Sequence, residues 1–299
     1  MADFIPDLLT PPREEEEFNP YRNAWRSIYF EMGSLISFSI IAYIVFVFLG
    51  INFSPTITLY TNISIALLPA LLWLYFSAWK ERSVPEPRQK LILVFIISGL
   101  MANAISIPFL NEYLNVSNWL SQENAFNRII GYALTVGIVQ EVSKYLVVRY
   151  MTWSNYRNRE DSIAYNASAA IGYATVVCLQ FAITADVSSG AVALQVLHFV
   201  VIHMVASLIM SYGIAELKFN PSSLILLPLL LILASFTTGI AIPIRTGLIN
   251  AGFALGISYQ NLLFDLIFSI IFLIMPIVAI AFLYNISERR ERESVGGTK

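Results

Sequence analysis

The chain has 299 residues and a net charge of −2, and 57% of its residues are hydrophobic while only 13% are charged. An ordinary soluble domain has roughly 25% charged residues, so the composition excludes a water-soluble fold. The apolar residues fall in continuous blocks of about 20, the length that crosses the ~30 Å hydrocarbon layer as a helix. The basic residues are spread over many short loops, which argues against nucleic acid as a partner. We therefore predict an all-α, polytopic membrane helix bundle embedded in a lipid bilayer.

Residues 1–29 precede the first apolar block and form a predicted acidic cytoplasmic arm. This arm contains several prolines and the acidic run Glu14–Glu17. Prolines and mutually repelling carboxylates favour an extended, solvated segment over a folded domain. The alternative interpretation is that apolar residues of the arm dock on a partner protein; these residues are Phe4, Ile5, Leu8 and Leu9.

The membrane domain is predicted at residues 30–287, followed by a charged cytoplasmic tail at 288–299. An even number of spans puts both termini on one side. With the N-terminus in the cytoplasm, 15 basic residues lie inside and only Arg128 and Arg245 lie outside, while Lys144 lies within a span. Because positive charge concentrates on the cytoplasmic side, we predict that both termini are cytoplasmic. The eight predicted spans are 30–51, 57–79, 90–110, 128–151, 161–183, 193–215, 223–243 and 263–286.

Two connecting segments have features of their own. Residues 111–127, on the predicted outer side, mix aromatic and aliphatic residues with Asn, Ser and Glu, which is typical of an interfacial segment. Residues 247–260 contain three glycines, and this pattern fits either a re-entrant or an interfacial piece. Asp265 lies at the start of the last span, near the outer surface, and we interpret its side chain as hydrated there. The single cysteine, Cys178, excludes a disulfide framework or a Cys-based metal site within one chain.

Ionisable residues within the predicted spans are candidate functional residues, because a charge near the bilayer centre costs several kcal/mol. The fourth span carries Gln140, Glu141 and Lys144 in its second half. Glu141 and Lys144 are three residues apart on one helix face, where each partly neutralises the other. The alternative is a purely structural ion pair, with Lys144 extending toward the cytoplasmic end of the helix.

The fifth and sixth spans add histidines and a stripe of small residues. His198 and His203 both lie in the sixth span, but five residues correspond to about 140° of helical rotation. The two histidines therefore cannot easily bind one metal ion from a single helix face. For either histidine, a hydrogen-bonded packing role fits the sequence at least as well as metal ligation. Small residues at every fourth position of the fifth span favour close packing against the fourth or sixth span. They are Asn166, Ala170, Ala174 and Cys178.

Three common designs of intramembrane protease are absent from the sequence. It has no His-Glu-x-x-His zinc motif. It also has no Gly-x-Ser-Gly of the rhomboid type and no paired membrane aspartates in a Gly-x-Gly-Asp setting.

Spans four to six resemble the PrsW family of intramembrane proteases, distant relatives of the CAAX-processing membrane proteases. That family carries Glu-Glu-x-x-Lys, then Asp-x-x-x-Tyr-Gly leading to Gly-Phe-x-x-x-Glu-Asn, and a later helix with His, small residues and a Gly-Tyr pair. Three corresponding motifs occur in this order within about residues 128–215. The matching positions are Gln140, Glu141 and Lys144, then Asp161, Tyr165, Asn166, Gly172, Tyr173, Val177 and Cys178, and finally His203, Ser207, Tyr212 and Gly213.

The departures from the family pattern fall on its implied catalytic groups. The resemblance implies a general base at the first Glu of the pair, but Gln140 has no titratable group to accept a proton. Val177 replaces a second carboxylate, which the family implies as a metal ligand or as a group that positions water. If the chain is active, its expected catalytic residues are Glu141, Lys144 and His203. Its expected metal ligands are His203 and Glu141. One carboxylate and one imidazole fall short of the three protein ligands typical of catalytic zinc.

These observations lead to two functional hypotheses. In the first, the chain is a PrsW-like pseudoenzyme that binds other membrane proteins as an assembly or complex subunit, and no cofactor is expected. In the second, it is an active intramembrane peptidase that cleaves a membrane-protein substrate with an atypical site built on Glu141 and His203, and zinc is the expected cofactor. A transporter is disfavoured because the chain shows no inverted repeat and few charges that could line a pore.

Overall fold

The described residues are almost entirely helical, and within them there is no β-strand. The computed structural model describes residues 24–51, 53–79, 85–120, 122–220, 225–253 and 258–296. Most of the predicted arm, residues 1–23, lies outside these ranges, and the first helix begins at Ala24, inside the range predicted as arm. At the other end, the last helix continues through most of the predicted tail to Gly296.

Ten α-helices follow one another in the described residues, and several are extended by a π-helical turn, which contains one extra residue. The helices are α1 Ala24–Ala42, α2 Pro55–Trp73, α3 Pro85–Met101, α4 Val116–Leu120, α5 Ala125–Tyr132, α6 Ile138–Thr152, α7 Arg159–Thr184, α8 Ser189–Phe219, α9 Leu226–Phe253 and α10 Ser258–Gly296. The π-helical turns are Tyr43–Phe48, Leu74–Trp79, Ala102–Ser106, Phe109–Tyr113 and Ala133–Gly137. The last of these joins α5 to α6, so residues 125–152 form one continuous helix.

By length and composition, seven helices in the described residues could cross a membrane. They are Ala24–Phe48, Pro55–Ser77, Gln89–Tyr113, Arg159–Thr184, Ser189–Phe219, Leu226–Ile244 and Leu262–Ser287. The prediction of a polytopic all-α bundle is thereby confirmed. The predicted fourth span, 128–151, falls in the continuous helix 125–152, which is not among the seven, since its polar residues lower its hydropathy. Seven crossings would put the termini on opposite sides and eight on the same side, so the orientation depends on this helix and stays a prediction.

Helices α7 and α8 form the centre of the bundle. Nearly every residue of α8 is buried, and α8 packs against α7, α9 and α10. Helix α7 packs in addition against α2 and α3. The outer helices expose large apolar side chains, as expected for surfaces that face lipid tails. Examples are Ile41, Leu71, Leu100, Leu229 and Ile274.

Two features of the sequence fix the position of α7. Asn158 caps its N-terminus by accepting a hydrogen bond from the backbone N–H of Asp161 at 3.0 Å. The Asp161 carboxylate accepts hydrogen bonds from the backbone N–H groups of Arg157 and Asn158, which completes a capping box. Further along, a Cβ atom at Gly172 would lie 2.1 Å from the carbonyl oxygen of Phe95 on α3. Only glycine therefore allows α3 and α7 to cross this closely.

The structure alters or refines three expectations from the sequence. The interpretation of Asp265 as hydrated is wrong, because its side chain is buried on the inner face of α10. In the segment 111–127, Trp119 is exposed but Leu120 is buried, so part of the segment packs on the protein. In the segment 247–260, α9 extends to Phe253, and residues 254–257 lie outside the described part of the chain.

Candidate functional site

Three ionisable residues from the predicted spans four and six lie in one buried cluster between α6 and α8. The Nζ atom of Lys144 lies 2.8 Å from Oε1 of Glu141. The same ammonium group donates to Oγ of Ser207 at 3.1 Å and to the carbonyl oxygen of His203 at 3.4 Å, and it lies 3.5 Å from Nδ1 of His203. The side chains of Glu141, Lys144 and His203 are almost completely buried. Lys144 therefore bridges two helices instead of extending to the cytoplasmic end.

A third helix contributes to this cluster through Thr238 of α9, whose hydroxyl donates a hydrogen bond of 3.2 Å to Oε1 of Glu141. Helix α9 and the continuous helix 125–152 come close because small residues lie where they cross. A Cβ atom at Gly137 would lie 2.2 Å from the carbonyl oxygen of Ser235, and one at Gly239 would lie 2.3 Å from the backbone of the facing helix. This close crossing brings a short threonine side chain within reach of the buried carboxylate.

Helix α7 supplies an aromatic wall to the cluster. The ring of Tyr173 lies 4.9 Å from the ring of His203, centroid to centroid. The Nζ atom of Lys144 lies 5.9 Å from the Tyr173 ring centroid, within the range of a cation–π contact. Behind this wall, the hydroxyl of Ser106 donates to the hydroxyl of Ser143 at 2.8 Å, which extends the polar layer to α3 and its π-helical turn. The buried polar layer is therefore built by α3, α6, α7, α8 and α9.

One polar atom of the cluster retains hydrogen-bonding capacity. Oε2 of Glu141 is buried without a hydrogen-bond partner among the described residues. Most buried polar atoms in proteins are hydrogen-bonded, so this atom is a place where a further ligand would be held. Glu141 thus offers one more acceptor oxygen.

The two positions where the resemblance implies a carboxylate provide none. Gln140 is half-buried and lies about 100° around the helix from Glu141. Val177 lies one turn beyond Tyr173 on α7, and residues four apart share a helix face. An aliphatic side chain therefore continues the wall that contacts His203, where the family pattern would place an acid.

His198 belongs to a different contact. Its Nδ1 atom lies 3.3 Å from the hydroxyl of Ser269 on α10, and its side chain is buried. His203 faces α6 and α7 instead, so the structure separates the two histidines in the way that their rotation of about 140° predicts.

Comparison with known proteins identifies the family of this chain. A family model described as PrsW family intramembrane metalloprotease matches residues 86–281, which is more than half of the chain. The chain belongs to the PrsW family. The PrsW match extends beyond the predicted region 128–215 at both ends, so most of α3, all of α9 and much of α10 lie within it. No match was found among curated proteins or among solved structures.

The description of the PrsW family as metalloproteases raises the question of whether this cluster fits a metal ion. Two atoms of the cluster could ligate a metal ion without facing Lys144, and they are Oε2 of Glu141 and Nε2 of His203. Two donors are fewer than the three protein ligands of a typical catalytic zinc site. Across the described ranges, no group of three His, Cys, Asp or Glu side chains lies close enough to hold a metal ion. The described residues of this PrsW chain therefore do not fit a catalytic metal.

Sequence reasoning missed Thr238 and a second buried ion pair. Thr238 is one of several hydroxyl residues in apolar segments, and nothing in the spacing marks it. The ion pair joins the guanidinium group of Arg159, at the start of α7, to Oε1 of Glu216, near the end of α8. The sequence marks the two residues but not their pairing, because Glu216 directly follows a long apolar segment and Arg159 lies shortly before another, which begins at Ile163.

Proposed function

We propose that this PrsW-family protein is catalytically silent and that it binds other membrane proteins as a subunit of a membrane complex. The observation that carries the proposal is the reduced donor set of the buried cluster. Glu141 and His203 remain there, whereas Gln140 and Val177 stand where the family pattern has carboxylates. Gln140 cannot act as a general base, because an amide does not accept a proton near neutral pH.

The roles of the retained motif residues support this proposal. Asp161 caps α7, Gly172 allows the crossing with α3, and Lys144 ties α6 to α8. Each of these roles maintains the bundle without any need for hydrolysis. A fold can keep its architecture while its function changes, so the retained motifs are compatible with a binding role.

An active PrsW-like peptidase is the second candidate function, and one observation favours it. Oε2 of Glu141 is buried and has no hydrogen-bond partner among the described residues. In this alternative Glu141 takes over the role of general base, and His203 lies next to it across Lys144.

Metal content and peptide cleavage distinguish the two candidates. The full-length protein in lipid nanodiscs is compared with Glu141→Gln and His203→Ala, using a transmembrane substrate that an authentic relative cleaves. We expect no stoichiometric transition metal in any of the three proteins and no cleavage by the native chain. Near-stoichiometric metal lost in His203→Ala, together with cleavage lost in Glu141→Gln, would establish the peptidase.

Restoring the family carboxylates provides a second test. We expect the double change Gln140→Glu and Val177→Glu to bind metal, whereas either change alone should not, because groups that act as one unit are strongly non-additive. Gln140→Glu combined with Val176→Glu is the matched control, since it adds the same charge one residue away from the family position. Size-exclusion chromatography checks folding, because an unpartnered carboxylate in the bilayer costs several kcal/mol. Metal binding by the control pair would contradict the interpretation that a carboxylate is needed at position 177 itself.

A further inference from the structure

Two basic side chains meet on one tryptophan ring where α6 and α8 end. The guanidinium carbon of Arg149 lies 3.2 Å from the centroid of the Trp153 ring, and Trp153 directly follows α6. Lys218 of α8 approaches the same ring, with its Nζ atom 4.9 Å from the centroid. All three side chains are half-buried, so each retains an accessible part. We call these three residues the Trp153 site.

Neither cation of the Trp153 site forms an ion pair with a described residue. Glu216 is the carboxylate closest to Lys218 in sequence, but it pairs with Arg159, and the other ion pair in the described ranges belongs to Lys144. The ammonium group of Lys218 donates to the carbonyl oxygen of the tryptophan at 3.2 Å. Nη1 of Arg149 is buried without a hydrogen-bond partner in the described part of the chain. Two like charges on one ring repel each other, whereas an anion bound beside them would be attracted by both.

The Trp153 site lies at the depth of lipid headgroups. Lys218 is the penultimate residue of the candidate span Ser189–Phe219, and the candidate span formed by α7 begins at Arg159. Tyr150, which follows Arg149 in sequence, is 81% exposed. Tryptophan and tyrosine are enriched at this level of a bilayer, because their rings combine an apolar body with a polar group. The anions available to the site at this depth include the phosphates of membrane lipids.

We propose that Arg149 and Lys218 bind the headgroup phosphate of an anionic phospholipid, which packs against the indole ring of Trp153. A guanidinium group matches two phosphate oxygens, and an ammonium group adds a compact positive charge. A zwitterionic lipid also carries a phosphate, but its own cationic group would be repelled by the two basic side chains. The site lies on the side that we predict to be cytoplasmic, where anionic lipids attract basic residues near the membrane. This inference does not rest on the proposed function, because it concerns a surface outside the buried polar cluster.

Two lipids that differ only in their headgroup test this proposal. Delipidated full-length protein in a neutral detergent is titrated with phosphatidylglycerol or phosphatidylcholine of identical acyl chains, and native mass spectrometry measures the affinity for each. We expect phosphatidylglycerol to bind about five- to thirtyfold more tightly, the size expected of two basic residues near an anionic group. The double change Arg149→Gln and Lys218→Gln should make the two affinities equal.

A control pair removes the same charge at the same end of the bundle. Arg26 and Lys90 lie near the starts of α1 and α3, outside the Trp153 site. We expect Arg26→Gln combined with Lys90→Gln to keep the preference for phosphatidylglycerol. Equal affinities in the native protein would overturn the proposal. A preference that the control pair loses to the same extent would also overturn it, because a general surface charge would then explain the binding.

A single substitution keeps the test decisive if the double variant does not fold. Lys218 bonds the backbone at the end of α6, so its loss affects stability as well as charge. Arg149→Gln leaves that bond in place and should reduce the preference about fivefold. Size-exclusion chromatography checks the folding of each variant. An unchanged preference in folded Arg149→Gln would overturn the proposal.

Inorganic phosphate distinguishes a lipid headgroup from a free anion. We expect millimolar phosphate to leave bound phosphatidylglycerol in place, because the lipid also gains the contact of its apolar part with the protein. Displacement of the lipid by phosphate, with phosphate binding that Arg149→Gln abolishes, would show that the site holds a free anion. That result would overturn a lipid as the ligand.

Discussion

Thr238 donates a hydrogen bond to Glu141 across 97 residues of sequence, and it thereby connects α9 to the carboxylate that also pairs with Lys144. A buried carboxylate that pairs with one ammonium and one hydroxyl is stabilised more than one with a single partner. The polar cluster thus joins α6, α8 and α9 through an ion pair and hydrogen bonds.

This bond predicts a difference between two neighbouring threonines. Thr238→Val should destabilise the protein by about 1.5–3 kcal/mol, the usual range for a hydrogen bond to a charged group. Thr237→Val is the matched control, because its exposed hydroxyl bonds only the carbonyl of Leu233 in its own helix. We expect that control to stay within about 0.5 kcal/mol of the native protein. Thermal unfolding in detergent measures both, and equal effects would mean that Thr238 does not support Glu141.

The ion pair predicts strong coupling between Lys144 and Glu141. Lys144→Met should cost about 3–5 kcal/mol, because it leaves a carboxyl group buried without its charged partner. Adding Glu141→Gln should recover part of this loss, since the double variant contains no unpaired charge. A double-mutant cycle on thermal stability gives the coupling energy, which we expect at about 0.5–3 kcal/mol. Additive effects would show that the two side chains do not interact in the membrane.

The crossing of α3 and α7 predicts opposite effects at two helical glycines. Gly172→Ala should destabilise the bundle, because the new Cβ atom would lie 2.1 Å from a backbone oxygen. Gly33→Ala has open space around the new atom and should stabilise α1 by up to about 1 kcal/mol, the helix propensity difference between Gly and Ala. Unfolding midpoints of the two variants compare them directly. A Gly172→Ala protein as stable as the native one would contradict the close crossing.

The orientation of the continuous helix 125–152 predicts the accessibility of introduced cysteines. In a Cys178→Ala background, Ser154→Cys should react with a membrane-impermeant maleimide only from the cytoplasmic side. Glu123→Cys and Asp186→Cys should react only from the outer side, because one crossing separates each of them from Ser154. Labelling of positions 123 and 154 from the same side would show that helix 125–152 does not cross, and the termini would then lie on opposite sides.

Much of the fold follows from the sequence because spanning helices have a length and an apolarity that are visible without any tertiary information. All seven candidate spans of the structure overlap predicted spans. The pair of Glu141 and Lys144 could also be predicted from the sequence, since a spacing of three residues places both side chains on one helix face. The motif resemblance in turn brought His203 to the same region of the bundle.

Other parts of the site depend on how the helices pack, which the sequence does not show. Thr238 reaches Glu141 only because Gly137 and Gly239 permit a close crossing. The ion pair of Arg159 and Glu216 likewise requires the start of α7 to lie next to the end of α8. Such pairings depend on tertiary contacts between segments far apart in sequence, and hydropathy and local spacing carry no information about them.

The π-helical turn Ala133–Gly137 has a consequence for insertions and deletions in this chain. A π-helical turn is an α-helix with one inserted residue. Deleting one residue from it would leave a regular helix of nearly the same length, but every side chain before it would rotate by about 100° relative to those after it. Gly137 and Ala133 would then no longer face α9 together with Glu141. The polar cluster therefore depends on the number of residues in this turn as well as on their identity.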